Sequence, residues 1–175
     1  MARISYFNEV EHPEASGLVE RLRAGRRGSL INVYKLLLHS PPLAETWFDH
    51  VSAVRWGTQL SGRLREIIII RIGKINDIAY VMRQHVPLMA EEAGLGVHEC
   101  DALADWEKSK CFSSAERAAL AYADSMVLQT SVSDAVFEQL RLHFDERAIV
   151  EISVLAGTYL MHNRVMKALG IDLEP

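Results

Sequence analysis

Apolar residues recur at three- and four-residue intervals along most of the chain, the spacing of one face of an α-helix. Turn signals cut this pattern into segments. Pro13-Glu14 opens a short first helix that ends near Gly25. Ser29 is placed to cap a second helix, with Leu30, Val33 and Leu37 on its apolar side, until His39-Ser40-Pro41-Pro42 stops it. The same prolines suit the first turn of a third helix, which runs through Trp47, Val51 and Val54 to about Trp56. The pattern then predicts helices from Leu64 to about Lys74, from a cap at Asn76 or Asp77 to about Ala93, and from Val97 to Trp106. After a loop from Lys108 to Ser113, further helices begin at Ser114, at Asp134 behind a Ser133 cap, and at Glu146, the last one running to Leu169 and closed by Gly170.

The run Ile67-Ile68-Ile69-Ile70 favours strand by propensity. Arg65, Glu66 and Arg71 bracket it, and no second strand candidate exists to pair with it. A lone strand leaves its backbone groups unsatisfied, so the run is expected to be a helix buried on most sides. With no repeat, low-complexity tract or long proline- or glycine-rich linker, the expected architecture is one all-α domain over residues 1–175.

The segment from Leu64 to Leu95 carries the candidate chemistry. Read as two antiparallel helices turning near Ile75 and Asn76, it places Glu66 and His85 each about nine residues from the turn. At about 1.5 Å per residue both lie at a similar height, and helices packed about 8–10 Å apart let a carboxylate and an imidazole meet. His85 shares an apolar stripe with Ile78, Val81, Met82 and Met89, so it should point inward, where its ring nitrogens need partners. Glu66 is the natural one, able to set the tautomer and favour the charged imidazole. Spacing alone equally suits a core histidine satisfied by a glutamate. Pro87 removes a helix donor two residues beyond His85 and is expected to kink the helix there.

Composition narrows the function classes. Apolar residues make up 49% and charged residues 24%, ordinary for a globular protein, and the net charge of -4 offers no basic field for nucleic acid. The basic cluster Arg21–Arg27 is short and reads best as a solvated helix end. No membrane span is expected: the apolar region from Ala148 to Met161 is interrupted by Glu151 and shorter than the roughly 20 residues a span needs. The N-terminus lacks an apolar signal core, so a cytoplasmic location is the default expectation. Cys100 and Cys111 form no CxxC and no zinc-ligand spacing, and His12, His39, His50, His98 and His143 suggest no ligand set, so no metal site is expected. His162-Asn163-Arg164 forms a second polar island, either a helix end, a subunit contact or a neighbour of the same pocket.

The Leu64–Leu95 segment, together with RRGSLINVYKLLLHSPPLAETW, ERAALAYADSM and the stretch from Val132 to Ile171, resembles the carboxymuconolactone decarboxylase-like family. The resemblance runs from about Arg26 to Ile171 and implies an AhpD-like helical bundle, assembled as a trimer or hexamer, that needs no cofactor. The family's peroxidase branch is similar to alkyl hydroperoxidases with the pattern E-x11-C-x2-C-x3-H. Here Glu66 and His85 match the outer positions, while Ile78 and Val81 occupy the cysteine positions. Neither can supply a thiolate. The decarboxylase-like branch often has glutamate where this chain has Val81, which removes a further acid. The namesake activity, in the breakdown of aromatic acids, implies a lyase or isomerase acting on a small carboxylated lactone or unsaturated acid. His85 would move the proton, Glu66 would orient it, Arg83 or Arg71 would hold an anionic group, Tyr80 would donate to an oxyanion, and Ile78 and Val81 would line the pocket. Two other readings stand beside it: a non-catalytic protein binding a small apolar ligand or serving an assembly, and residual redox chemistry at Cys100 or Cys111.

Overall fold

The longer helices of the chain begin where a side chain or a proline can meet the unpaired first turn. Ser61 accepts from the Leu64 N–H, and Ser133 from the Val136 N–H. Ser113 and Glu116 form a reciprocal capping box. The computed structural model describes residues 1–129 and 131–174. Among these there is no strand, and ten α-helices follow in order: α1 (Ser16–Ala24), α2 (Asn32–Leu37), α3 (Pro41–Trp56), α4 (Gly62–Ile75), α5 (Ala79–Gln84), α6 (Ala90–Glu92), α7 (Val97–Ala102), α8 (Ser114–Leu128), α9 (Asp134–Arg141) and α10 (Glu146–Leu169). The all-α expectation holds.

Two compact units divide the chain, one of Met1–Trp56 with the residues from Val165 onward, the other of Gly57–Arg164. In the first, α1 and α2 both pack on α3. Gly25 lets α1 come close: a β-carbon there would sit 2.3 Å from Cζ of Phe48. The basic cluster is largely consumed within this unit. Arg21 pairs with Glu45 and Asp49, Arg23 with Glu9, and Arg26 bonds the Tyr34 hydroxyl and lies over the rings of Phe48 and Trp56.

The second unit is organised around α4, which packs against α8, α5, α6 and the turns that join them. Ile67, Ile68, Ile69, Ile70 and Ile72 are all fully buried. A helix enclosed on all sides is the arrangement in which four consecutive isoleucines find apolar neighbours, and burial outweighs their β preference, at about 25 cal/mol per Å² of apolar surface. Gly73 allows α5 to approach: a β-carbon there would meet Met82 Sδ at 3.1 Å and Val81 Cγ1 at 3.4 Å.

Three local expectations are corrected. Ser29 does not cap α2; the N-cap is Ile31, without a side-chain bond. Neither Asn76 nor Asp77 caps α5. Asn76 closes α4, its Nδ2 donating to the Ile72 carbonyl at 2.9 Å, and Asp77 takes φ +48 to reverse the chain, leaving Ile78 as N-cap. The expected kink at Pro87 takes the form of a π-helical turn, His85–Met89, between α5 and α6. Pro87 has no N–H for the fourth-previous carbonyl, and the ladder slips by one so that the Ala90 N–H reaches the His85 carbonyl. Likewise the segment after Ala102 tightens into a 3₁₀ helix, Leu103–Lys108.

Candidate functional site

The reversal at Asn76–Ile78 folds α5 back along α4 and brings Glu66 and His85 together. The distance from Glu66 Oε2 to His85 Nδ1 is 2.6 Å, and the two residues are 1% and 5% exposed. A carboxylate accepts only, so Nδ1 carries the proton it donates, and exchange with any substrate falls to Nε2. Charge-assisted bonds of this length are among the stronger ones in proteins. On the other carboxylate oxygen, Oε1, Arg65 Nε stands 3.7 Å away. That guanidinium adds positive charge beside the pair from outside hydrogen-bond range.

His85 is the first residue of the π turn. Such single-turn bulges occur often at functional sites. Above the imidazole lies Tyr159 of α10, edge-on with ring centroids 5.6 Å apart, and Tyr159 in turn lies 5.8 Å from the ring of His162. Sequence reasoning missed Tyr159. Its position, three residues before the polar island in an otherwise apolar helix, was the available signal. His162 therefore borders the site through a tyrosine, while Arg164 faces solvent and Asn163 is fully buried.

The remaining predicted residues separate. Ile78 and Val81 are buried on the same face as His85, with Val81 against Gly73. Tyr80 is buried as well. Arg83 is exposed, two positions before His85 and thus on a different side of α5. Arg71 departs from expectation most clearly. Its guanidinium forks onto Asp124, Nε and Nη2 each at 2.7 Å, and donates twice more to the carbonyls of Leu103 and Ala104 at 2.9 Å. Trp106 Nε1 shares the same carboxylate at 2.9 Å. With four of its five donors taken, Arg71 ties α4 to α8 and is not offered to a ligand. No group of three or more His, Cys, Asp or Glu suited to a metal occurs among the described residues, and no described helix is long and apolar enough to cross a membrane.

Comparison with known proteins agrees with this architecture. Residues 41–125, which include both Glu66 and His85, match the Carboxymuconolactone decarboxylase family. The chain is similar to the uncharacterized protein YnjA of Escherichia coli K12, 39% identical over 74 residues, which is 42% of this chain and 41% of that one. The match thus spans under half of that relative. In fold it is similar to an alkylhydroperoxidase AhpD core, an uncharacterized peroxidase-related protein from Ralstonia eutropha JMP134. The TM-score is 0.83 at 20% identity, over 99% of this chain and 92% of that one. It is similar also to a variant of the debrominase Bmp8 in complex with 2,3,4-tribromopyrrole, with a TM-score of 0.78 at 17% identity, over 99% and 94%. A debrominase and a peroxidase-related protein sharing one fold mark a family of varied enzymatic roles. The segment that carries Glu66 and His85 thus matches the Carboxymuconolactone decarboxylase family, and it is set on an AhpD-like helical fold.

Proposed function

We propose that the protein is a cofactor-free acid/base enzyme, a decarboxylase-like lyase or an isomerase, acting on a small carboxylated lactone or unsaturated acid. The observation that carries this reading is the buried 2.6 Å contact between Glu66 and His85 beside a π turn. In a decarboxylation, the bond to the carboxylate carbon breaks, CO2 leaves, and its electron pair becomes an enolate conjugated with the lactone carbonyl. His85 Nε2–H then delivers the proton to carbon, and Glu66 holds the ring in place through Nδ1. In an isomerisation the same nitrogen takes a proton beside the carbonyl and returns it one position along. Tyr80 is the candidate donor to the oxyanion, with Ile78 and Val81 as apolar lining, while Arg83, exposed on another side of α5, is not placed to hold the substrate carboxylate. Support from the fold is that a neighbour accommodates a small ring, 2,3,4-tribromopyrrole. Aromatic-acid breakdown is the setting the family suggests.

The 5% exposure of His85 favours a second reading, a non-catalytic protein that binds a small ligand and keeps the pair for structure. A binding screen of small lactones and unsaturated acids, followed by turnover assays, separates the two. His85→Gln retains hydrogen bonding but cannot transfer a proton near neutral pH, so a catalytic role predicts a loss of about 10²–10⁴-fold with the fold intact. Glu66→Gln, which keeps shape and removes charge, is expected to cost less. Undiminished turnover in folded His85→Gln protein refutes the mechanism.

A further inference from the structure

A second imidazole lies close to a nucleophile well outside the Glu66–His85 site. Cys111 Sγ stands 3.7 Å from His98 Nδ1, within range of a hydrogen bond to sulfur. His98 is exposed on α7 and Cys111 is half-buried. The thiol is held in place from both sides: the Cys111 N–H donates to Ser109 Oγ at 3.1 Å, and the adjacent Phe112 is anchored in the core around Ile67 and Leu103. Both residues line an open depression of about 460 Å³. Its remaining charges are of both signs: Asp105 pairs with Lys108 at 2.6 Å, while Asp101 and Lys110 form no ion pair among the described residues.

We propose that Cys111 and His98 form a nucleophilic thiol site that undergoes thiol–disulfide exchange with a small zwitterionic disulfide of the amino-acid type. The geometry supplies each part. The Cys111 S–H donates to His98 Nδ1, and transfer of that proton leaves the thiolate, which is the attacking form. The thiolate attacks one sulfur of the disulfide, a new S–S bond forms at Cys111, and the old one breaks. Its electron pair leaves with the second half as a thiolate, which takes the proton from the imidazolium. Cys111 is oxidised, the small disulfide is half reduced, and no other reactant is needed. The depression is roomy enough for such a molecule, and unpaired groups of both signs, Asp101 and Lys110, suit a ligand bearing an ammonium and a carboxylate. Cys100 is an internal control: it is 1% exposed, out of reach of a disulfide in solution, and burial pushes its thiol up.

The test exposes the intact protein to cystine at neutral pH and follows the rate and position of cysteinylation by peptide mass mapping, with N-acetylcysteine as the free-thiol reference. The expected result is modification at Cys111 and not Cys100, about tenfold faster than the reference, since a free thiol is only a few per cent ionised near pH 7. His98→Gln is expected to return the rate to the reference. The other titratable groups around the pair, Asp101, the Asp105–Lys108 pair, Lys110 and the Arg63-bound Glu99, remain in that variant. His98 is exposed, so the substitution leaves the core untouched. A rate at Cys111 no greater than the reference, or one indifferent to His98→Gln, overturns the site. The uncharged 2-hydroxyethyl disulfide tests the ligand class: cystine must be favoured over it more strongly by Cys111 than by N-acetylcysteine. Equal preference overturns the zwitterionic assignment.

Discussion

Two histidines in this protein have opposite circumstances. His85 is enclosed, its Nδ1 bound to Glu66 at 2.6 Å between packed helices. His98 is exposed, with Cys111 Sγ at 3.7 Å on the rim of an open depression. In the enclosed pair, removal of water strengthens the attraction and fixes one tautomer, and it makes any unmatched partner costly. In the exposed pair, solvent screens the interaction and replaces a lost partner, so little stability depends on it. What the second pair has instead is access. Burial gives a proton-transfer group its geometry, and exposure gives a nucleophile its reactants.

The comparison is broken most severely at His85, where substitution by glutamine is expected to remove about 10²–10⁴-fold of turnover on whichever lactone or acid the screen identifies. Next is stability. Glu66→Leu leaves the imidazole buried without its acceptor and is expected to cost roughly 3–5 kcal/mol by urea unfolding. Replacing both members, Glu66→Leu with His85→Leu, should recover part of that, because the imidazole is no longer stranded while the Arg65 guanidinium still loses its counter-charge. At the exposed pair, Cys111→Ser and His98→Gln should each shift unfolding by less than about 0.5 kcal/mol. If His98→Gln proves as destabilising as Glu66→Leu, the contrast between the pairs fails.

Arg71→Met tests the neighbouring tie between α4 and α8. It removes a bidentate fork from Asp124, whose side chain is 16% exposed and keeps the bond from Trp106, so a cost of about 1–3 kcal/mol is expected in the same unfolding assay. Turnover should fall only as far as α4 is displaced, in contrast to a residue that binds substrate.

Another small effect concerns acid. The Arg63 hydrogen bond, with help from the Gly96 N–H, holds Glu99 below the usual 4.5. Burial works against the same shift at Glu116, but bonds from Ser113 and Arg63 keep it below 4.5 too. Depressed carboxylates contribute stability that is complete above about pH 4.5 and lost as pH falls through their folded values. Thermal melts from pH 6 to pH 3 should therefore show a decline below about 4.5. Arg63→Met should make it shallower, by less than about 1 kcal/mol for these part-exposed pairs. An unchanged slope would assign the decline to other groups.

The amino-acid pattern alone determined the all-α class, most helix boundaries and the pairing of Glu66 with His85. These rest on local rules: apolar periodicity, serine and proline at helix starts, and a constant rise that sets two residues level across a turn. Even the four isoleucines were legible as helix, because a strand needs a partner and none was present. The fates of individual side chains were not legible in this way. Arg71 and Arg83 look interchangeable as anion clamps in the sequence, yet Asp124, fifty-three positions away from Arg71, claims one and leaves the other exposed. Tyr159 joins His85 from seventy-four residues along the chain, and His98 meets Cys111 from thirteen positions away. Helix formation depends on neighbours within a few residues. Which polar group meets which depends on how distant helices pack, and only the tertiary structure decides that.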